Sequence, residues 1–117
     1  MDVCARCHKP TPPDRMTKAR WMCKVCWRDY MRFRRYGITA EDYERMSREQ
    51  DGACAICRKP NVVPKKNGMN VSNLAVDHDA ASGRVRGLLC GRCNRGIGYL
   101  KHDPALLAKA ARYLVGW

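Results

Sequence analysis

Apolar positions recur at helical spacing in the first half of this chain, then fall into short β-prone runs, then return to helical spacing at the end. "CWRDYMRFRRYG" reads as a short helix ending at Gly37, with Trp27, Tyr30 and Met31 on one side and Arg28, Arg32 and Arg35 on another. "GITAEDYERMSREQDGA" has Thr39 as N-cap, Asp42 three residues on and Gly52 as a stop, which predicts a helix over about residues 40–51. "DPALLAKAARYLVGW" predicts a last helix with Asp103 as N-cap and Pro104 at its first position. Its stripe of Leu107, Ala110, Ala111 and Leu114 reads as core.

Between them, "PNVVPKKNGMNVSN" reads as an irregular loop. "LAVDH" and "RVRGLLC", separated by a turn at "AASG", read as a hairpin, and the chain turns helical beyond Cys90. The one internal repetition is the pairing of cysteines.

A length of 117 residues suits one compact domain, or one with a small appendage. With 23 Lys and Arg the interior is small, so metals or disulfides are expected to reinforce it. The net charge of +12 points to a polyanionic partner, nucleic acid before membrane. Basic residues dominate 1–36 and 54–117, and acids outnumber them over 37–53. No run matches a membrane span and "MDVCARCHKP" lacks the apolar core of a secretory signal, so the expectation is a cytoplasmic protein with no membrane partner.

In a reducing compartment, closely spaced cysteines read as metal ligands before disulfides, and all eight fall in C-x2-C pairs. Cys4, Cys7, Cys23 and Cys26 have fifteen residues between pairs, the spacing of a closed four-thiolate zinc site. Cys54, Cys57, Cys90 and Cys93 have thirty-two, so a second zinc site encloses an insert. That insert holds Asp77 and His78, and its closing pair delivers Asn94, so zinc there clamps two ends of one site. Redox activity of a C-x2-C pair is the competing reading. His8, next to Cys7, is a substitute ligand or an exposed residue, and His102 reads as a surface residue before the last helix. The expected organisation is an N-terminal zinc module over 1–36, a linking helix over 37–53 and a third region over 54–117.

C-x2-C, then "VDHD", then "GRVRGLLCGRCN", in that order, resembles the recombination endonuclease VII family, phage enzymes of the HNH or ββα-metal nuclease superfamily, over about residues 36–113. The resemblance implies a small α+β fold, a zinc-stabilised ββα-metal core whose helix Asn94 opens, preceded here by the four-cysteine module. It implies a DNA endonuclease with two structural zinc ions and one catalytic magnesium or manganese ion, leaving 5′ phosphate and 3′ hydroxyl ends. His78 is the expected general base, since imidazole titrates close to neutral pH. Asp77 and Asn94 offer the hard oxygen donors that magnesium or manganese takes. Adjacent strand residues point to opposite faces, so Asp77 and His78 serve one site only if the strand bends or ends there. The chain departs from the family where members often carry a second histidine and an acid: it has Ala80 and Ile97, with Asp79 the nearest replacement or merely a turn cap.

Arg84, Arg86, Arg92 and Arg95 flank the expected site and are assigned to DNA phosphates, with Arg28 and Arg32 as a second grip beside Trp27. The family's archetype dimerises through a long helical extension. This chain ends soon after the ββα helix, so the expectation is a monomer or weak homodimer that nicks DNA or selects it by shape, in the host cytoplasm if phage-encoded. Two rivals are a non-enzymatic zinc-containing DNA-binding protein and a zinc-stabilised interaction module. Only Asp77, His78 and Asn94 set the nuclease apart from them.

Overall fold

Residues 4–10, "CARCHKP", and 54–60, "CAICRKP", match at five of seven positions and share one backbone. In a computed structural model, which describes residues 1–19, 21–60, 62–64 and 70–117 and only the backbone of 62–64 and 70–72, each folds into the same knuckle. The fifth residue's N–H donates to the first cysteine's carbonyl, His8 to Cys4 at 2.9 Å and Arg58 to Cys54 at 3.0 Å. The first cysteine's N–H donates to the lysine carbonyl, Cys4 to Lys9 at 3.2 Å and Cys54 to Lys59 at 3.0 Å. Both fifth residues are left-handed, φ 60° at His8 and 63° at Arg58. The repetition therefore extends beyond the cysteines to the whole knuckle.

The chain falls into two units, Met1–Arg45 and Met46–Trp117. In the first, β1 (Asp2–Val3) pairs antiparallel with β2 (Pro10–Thr11) across the knuckle, and a single bridge joins Met16 to Cys23. α1 (Lys24–Tyr36) starts at Cys23, whose sulfur accepts from the Cys26 N–H, and ends at left-handed Gly37, as the sequence predicts. Cys4, Met16, Met22, Ile38 and Tyr43 are buried.

α2 (Ala40–Glu49) opens with the predicted capping box: Asp42 N–H donates to Thr39 Oγ1 at 3.1 Å and Thr39 N–H to Asp42 Oδ2 at 3.0 Å. The backbone contact at Thr39 is the main reason the Asp42 carboxyl lies below its ordinary range. The helix stops before the expected end. Asp51 and Gly52 turn left-handed, at φ 54° and 69°, and bring the chain into the second knuckle.

In the second unit, β3 (Val62–Pro64) and β4 (Asn70–Ser72) pair antiparallel where the sequence was expected to form an irregular loop. The β-branched residues Val62, Val63 and Val71 favour extended backbone, and the surrounding Pro, Gly and Asn hide that signal. Residues 61 and 65–69 of the expected loop lie outside the described residues. β5 (Ala75–His78) and β6 (Val85–Leu89) form the predicted hairpin, and α3 (Gly91–Tyr99) packs against both, completing a ββα unit. Leu74 and Leu88 are fully buried beside Val76, Leu89 and Ala53, each large side chain worth about 2 kcal/mol of transfer.

α4 (Pro104–Val115) begins as predicted, with Asp103 Oδ1 accepting from Ala105 N–H at 2.9 Å. Its stripe is not core. No α4 residue is buried and Leu114 is 69% exposed, because helical periodicity marks an apolar face without supplying what covers it. No described helix is long and apolar enough to cross a membrane.

Candidate functional site

Each pair of knuckles gathers four sulfurs. In Cys4, Cys7, Cys23, Cys26 and in Cys54, Cys57, Cys90, Cys93 the ligand atoms lie within 4.8 Å of one another, the predicted grouping in both cases. Backbone N–H groups point at the sulfurs: Cys23 donates to Cys4 Sγ at 3.3 Å, Cys7 to Cys4 Sγ at 3.5 Å and Cys93 to Cys90 Sγ at 3.4 Å. Burial opposes the Cys4 thiolate, yet the Cys7 and Cys23 N–H groups outweigh it and bring that thiol down to about 6. Cys54 follows the same balance to about 6 through Cys90 and Cys57. Burial and then the neighbouring Cys90 push Cys93 up to about 12, and burial with Cys23 pushes Cys26 up as well. Four thiols this close cannot all ionise without a cation between them. A tetrahedral zinc ion fits each donor set, with no ligand position left over. His8 stands outside the sulfur cluster, its backbone closing the knuckle instead.

The hairpin is fixed from three sides. At its turn Asp79 Oδ1 accepts from Ala81 N–H at 3.0 Å and Oδ2 from Ser82 Oγ at 3.2 Å, while Gly83 takes a left-handed φ of 75°. Asp79 is thus a turn cap, and the Ala81 contact is the largest reason its carboxyl lies below the ordinary range. On the outer edge of β6, Gln50 imitates a strand: Oε1 accepts from Leu88 N–H at 2.9 Å and Nε2 donates to Leu88 O at 2.9 Å and Ala53 O at 2.8 Å. Gly87 makes room for it, since a Cβ there would stand 3.3 Å from Gln50 Oε1. Ala55 N–H reaches the same Leu88 carbonyl at 3.1 Å, joining the knuckle to the hairpin.

The third constraint lies at the candidate site. Asp77 pairs with Gly87 but His78 pairs with Val85, so the register shifts between the two residues and Arg86 drops out of the ladder. The extra residue of this bulge is on β6, and β5 itself ends at His78, so the adjacent Asp-His pair stands at a strand end and not inside a regular strand. Asp77 is buried, and the guanidinium of Arg86 sits on its carboxylate, Nε to Oδ2 at 2.7 Å and Nη2 to Oδ1 at 2.9 Å. Arg86 Nη2 also lies 3.3 Å from His78 O and 2.8 Å from His102 Nδ1. Asn94 is in the first turn of α3, one residue after Cys93, its N–H bonded to Cys90 O at 2.9 Å. The structure thus sets a buried carboxylate on β5 and a side-chain amide on the helix packed against that strand.

Of the arginines singled out in the sequence, Arg92 and Arg95 line a cavity of 380 Å³ with Lys59 over Cys57 and Cys90. Arg95 folds back across Gly91, where a Cβ would meet its Nη1 at 3.0 Å. Arg84 is exposed at the turn. Arg86 is spent on Asp77. In the first unit Arg28 is exposed, whereas Arg32 lies 3.6 Å from the Tyr43 ring centroid and 3.5 Å from Asp29. Sequence reasoning missed Gln50 and Lys59 and took His102 for a surface residue. Only Lys59 had a signal, its place in the repeated knuckle.

Among curated proteins the chain is similar to the Gene 59 protein of Mycobacterium phage D29, 42% identical over 80 residues, covering 68% of this chain and 44% of that protein. It is 37% identical over 81 residues to the Gene 59 protein of Mycobacterium phage L5, covering 68% of this chain and 45% of the relative. The chain thus spans less than half the length of the curated relatives it matches. Among solved structures it is similar to the ββα-Me type II restriction endonuclease Hpy99I, with 26% identity, a TM-score of 0.47, and coverage of 97% of this chain and 64% of that one. The model of the recombination endonuclease VII family matches residues 29–116, about three quarters of the chain and all of its ββα unit, and the chain belongs to that family.

Proposed function

We propose that this protein is a metal-dependent DNA endonuclease that nicks DNA or selects it by structure. The observation that carries the reading is that β5 ends at His78, where its register with β6 breaks, so the Asp77–His78 pair stands at a strand end. His78 accepts a proton from water, the water oxygen attacks phosphorus, and the bond to the 3′ oxygen breaks as that oxygen takes a proton from solvent, leaving a 5′ phosphate and a 3′ hydroxyl. Asp77 and Asn94 would hold magnesium or manganese, which when bound would supply positive charge at the phosphate. The two zinc ions are structural.

Arg92, Arg95, Lys59 and the exposed Arg84 are the phosphate contacts of the second unit, and Arg28 a contact of the first. The zinc module of 1–36, the linking helix of 37–53 and the nuclease region of 54–117 divide these tasks, and the protein acts as a monomer or weak homodimer in the cytoplasm of a phage host. Since each phosphate contact adds close to one unit to the salt dependence of binding, affinity falls steeply with ionic strength.

Supercoiled plasmid incubated with magnesium, manganese or EDTA, beside His78→Ala, tests the reading. Metal-dependent nicking is expected, and His78→Ala reduces it at least a hundredfold while keeping zinc and DNA binding. Plasmid that is shifted but uncut by the parent protein would instead make it a non-enzymatic DNA-binding protein.

A further inference from the structure

The corner between α3 and α4 is made of two consecutive residues in left-handed conformation, Lys101 at φ 60° and His102 at φ 55°. The hydrogen bonds His102 N–H to Ile97 O at 2.8 Å and Lys101 N–H to Gly98 O at 3.0 Å form the paired closure that ends many helices, and the first left-handed position of that closure is usually glycine. Two such residues in succession are strained, and strain of this kind collects where a side chain is being aimed. Here the aimed side chain is His102. Its ring lies beside Gly98, where a Cβ would stand 3.9 Å from Nε2, and its Nδ1 meets Arg86 Nη2 at 2.8 Å.

Guanidinium only donates, so Nδ1 is the acceptor and the ring carries any neutral proton on Nε2. The same Nη2 donates to Asp77 Oδ1, and Nε to Oδ2, so a continuous chain of hydrogen bonds runs from His102 through Arg86 to both oxygens of Asp77. A carboxylate offers about four lone-pair sites, and Arg86 uses one on each oxygen, which leaves a second lone pair on each. Arg86 lies outside the strand ladder, so backbone pairing does not aim its side chain; Asp77 holds one side of the guanidinium and His102 the other.

We propose that His102 is a positioning residue: it holds Arg86 across Asp77 and so sets the carboxylate for a divalent cation. The inference rests on the assignment of Asp77 as a ligand of that cation. Groups behind a ligand change metal affinity by about ten- to a hundredfold when removed.

The test titrates the zinc-loaded full chain with Mn²⁺ in the absence of DNA, followed by electron paramagnetic resonance, for the parent, His102→Ala, His102→Asn and Asp77→Ala. His102→Ala is expected to weaken Mn²⁺ about tenfold and to lower kcat on plasmid while leaving KM and zinc content unchanged. His102→Asn restores both, because its Oδ1 accepts in place of Nδ1 and asparagine tolerates the left-handed backbone. Parent-like Mn²⁺ affinity in His102→Ala, with affinity lost in Asp77→Ala, overturns the positioning role alone. An asparagine variant as weak as alanine also overturns it, by showing that the ring's bulk matters and its acceptor does not. Parent-like affinity in Asp77→Ala overturns the ligand assignment and this inference together.

Discussion

Arg86 grips both carboxylate oxygens of Asp77, at 2.7 and 2.9 Å, from the one residue that the β5–β6 ladder skips. The bulge therefore does two things at once. It breaks the regular pairing beside the Asp77–His78 dipeptide, and it releases an arginine to neutralise the buried acid.

Arg86→Ala leaves Asp77 buried without its cation. A fully buried pair broken in this way loses about 3–5 kcal/mol, but Arg86 is 41% exposed, so about 1–2 kcal/mol is expected after allowing for solvent. Arg86→Lys restores the charge without the two-pronged geometry and recovers only part of the loss. Urea denaturation of the three proteins, with zinc present, measures it.

Gln50→Ala exposes the opposite edge of the same hairpin. Leu88 loses the partner of its N–H and one donor to its carbonyl, and an unsatisfied buried group costs about 1–3 kcal/mol. Loss of stability with slowed hydrogen exchange at Leu88 retained would contradict the strand-mimic role; faster exchange at that amide supports it.

Asp79 gives the turn an acid limit. Its carboxyl lies below the ordinary value in the folded chain, chiefly through the Ala81 N–H, so its contribution is complete above the ordinary carboxylate range and is lost as pH falls through the lowered folded value. Asp79→Ala should flatten the acid side of the stability profile and leave the neutral side parallel to the parent. Thermal melts across a pH series from neutral to acid show the difference.

Zinc removal acts on each unit through its own tetrad. Cys7→Ser should disorder Met1–Arg45 and Cys57→Ser should disorder Met46–Trp117, because the knuckles have little other core. In the metal-free chain Cys4 and Cys54, both at about 6, lie below the ordinary thiol value, so their thiolates are present to take up zinc at neutral pH, and protons compete with the metal as pH falls. Amide spectra of each variant, with zinc release followed by a chromogenic chelator at falling pH, check both statements.

Much of this was legible in the chain because its signals are local. Both cysteine tetrads, the Thr39–Asp42 box, the Asp103 cap and the β5–β6 hairpin rest on spacing within a few residues or on ligand chemistry. What was hidden depends on partners far away in sequence. Alternation along "RVRG" put Arg84 and Arg86 on one phosphate-facing side, and a single skipped residue sent Arg86 to Asp77. Gln50 and Leu88 are thirty-eight residues apart, and no period links a helix-end glutamine to a strand it will edge. The apolar stripe of α4 was real as a pattern and misleading as a core, since burial belongs to the partner as much as to the helix.

The repeated knuckle closes loops of unequal size, fifteen residues in one unit and thirty-two in the other. Loop closure costs about 0.6 kcal/mol per doubling, so with sulfurs of the same kind and the same knuckle backbone the shorter loop is favoured roughly threefold. Newly made chain would therefore capture its first zinc at the N-terminal tetrad and its second at the tetrad that frames Asp77 and Asn94. Under metal scarcity, the tetrad that frames Asp77 and Asn94 would fill about threefold less readily than the N-terminal one.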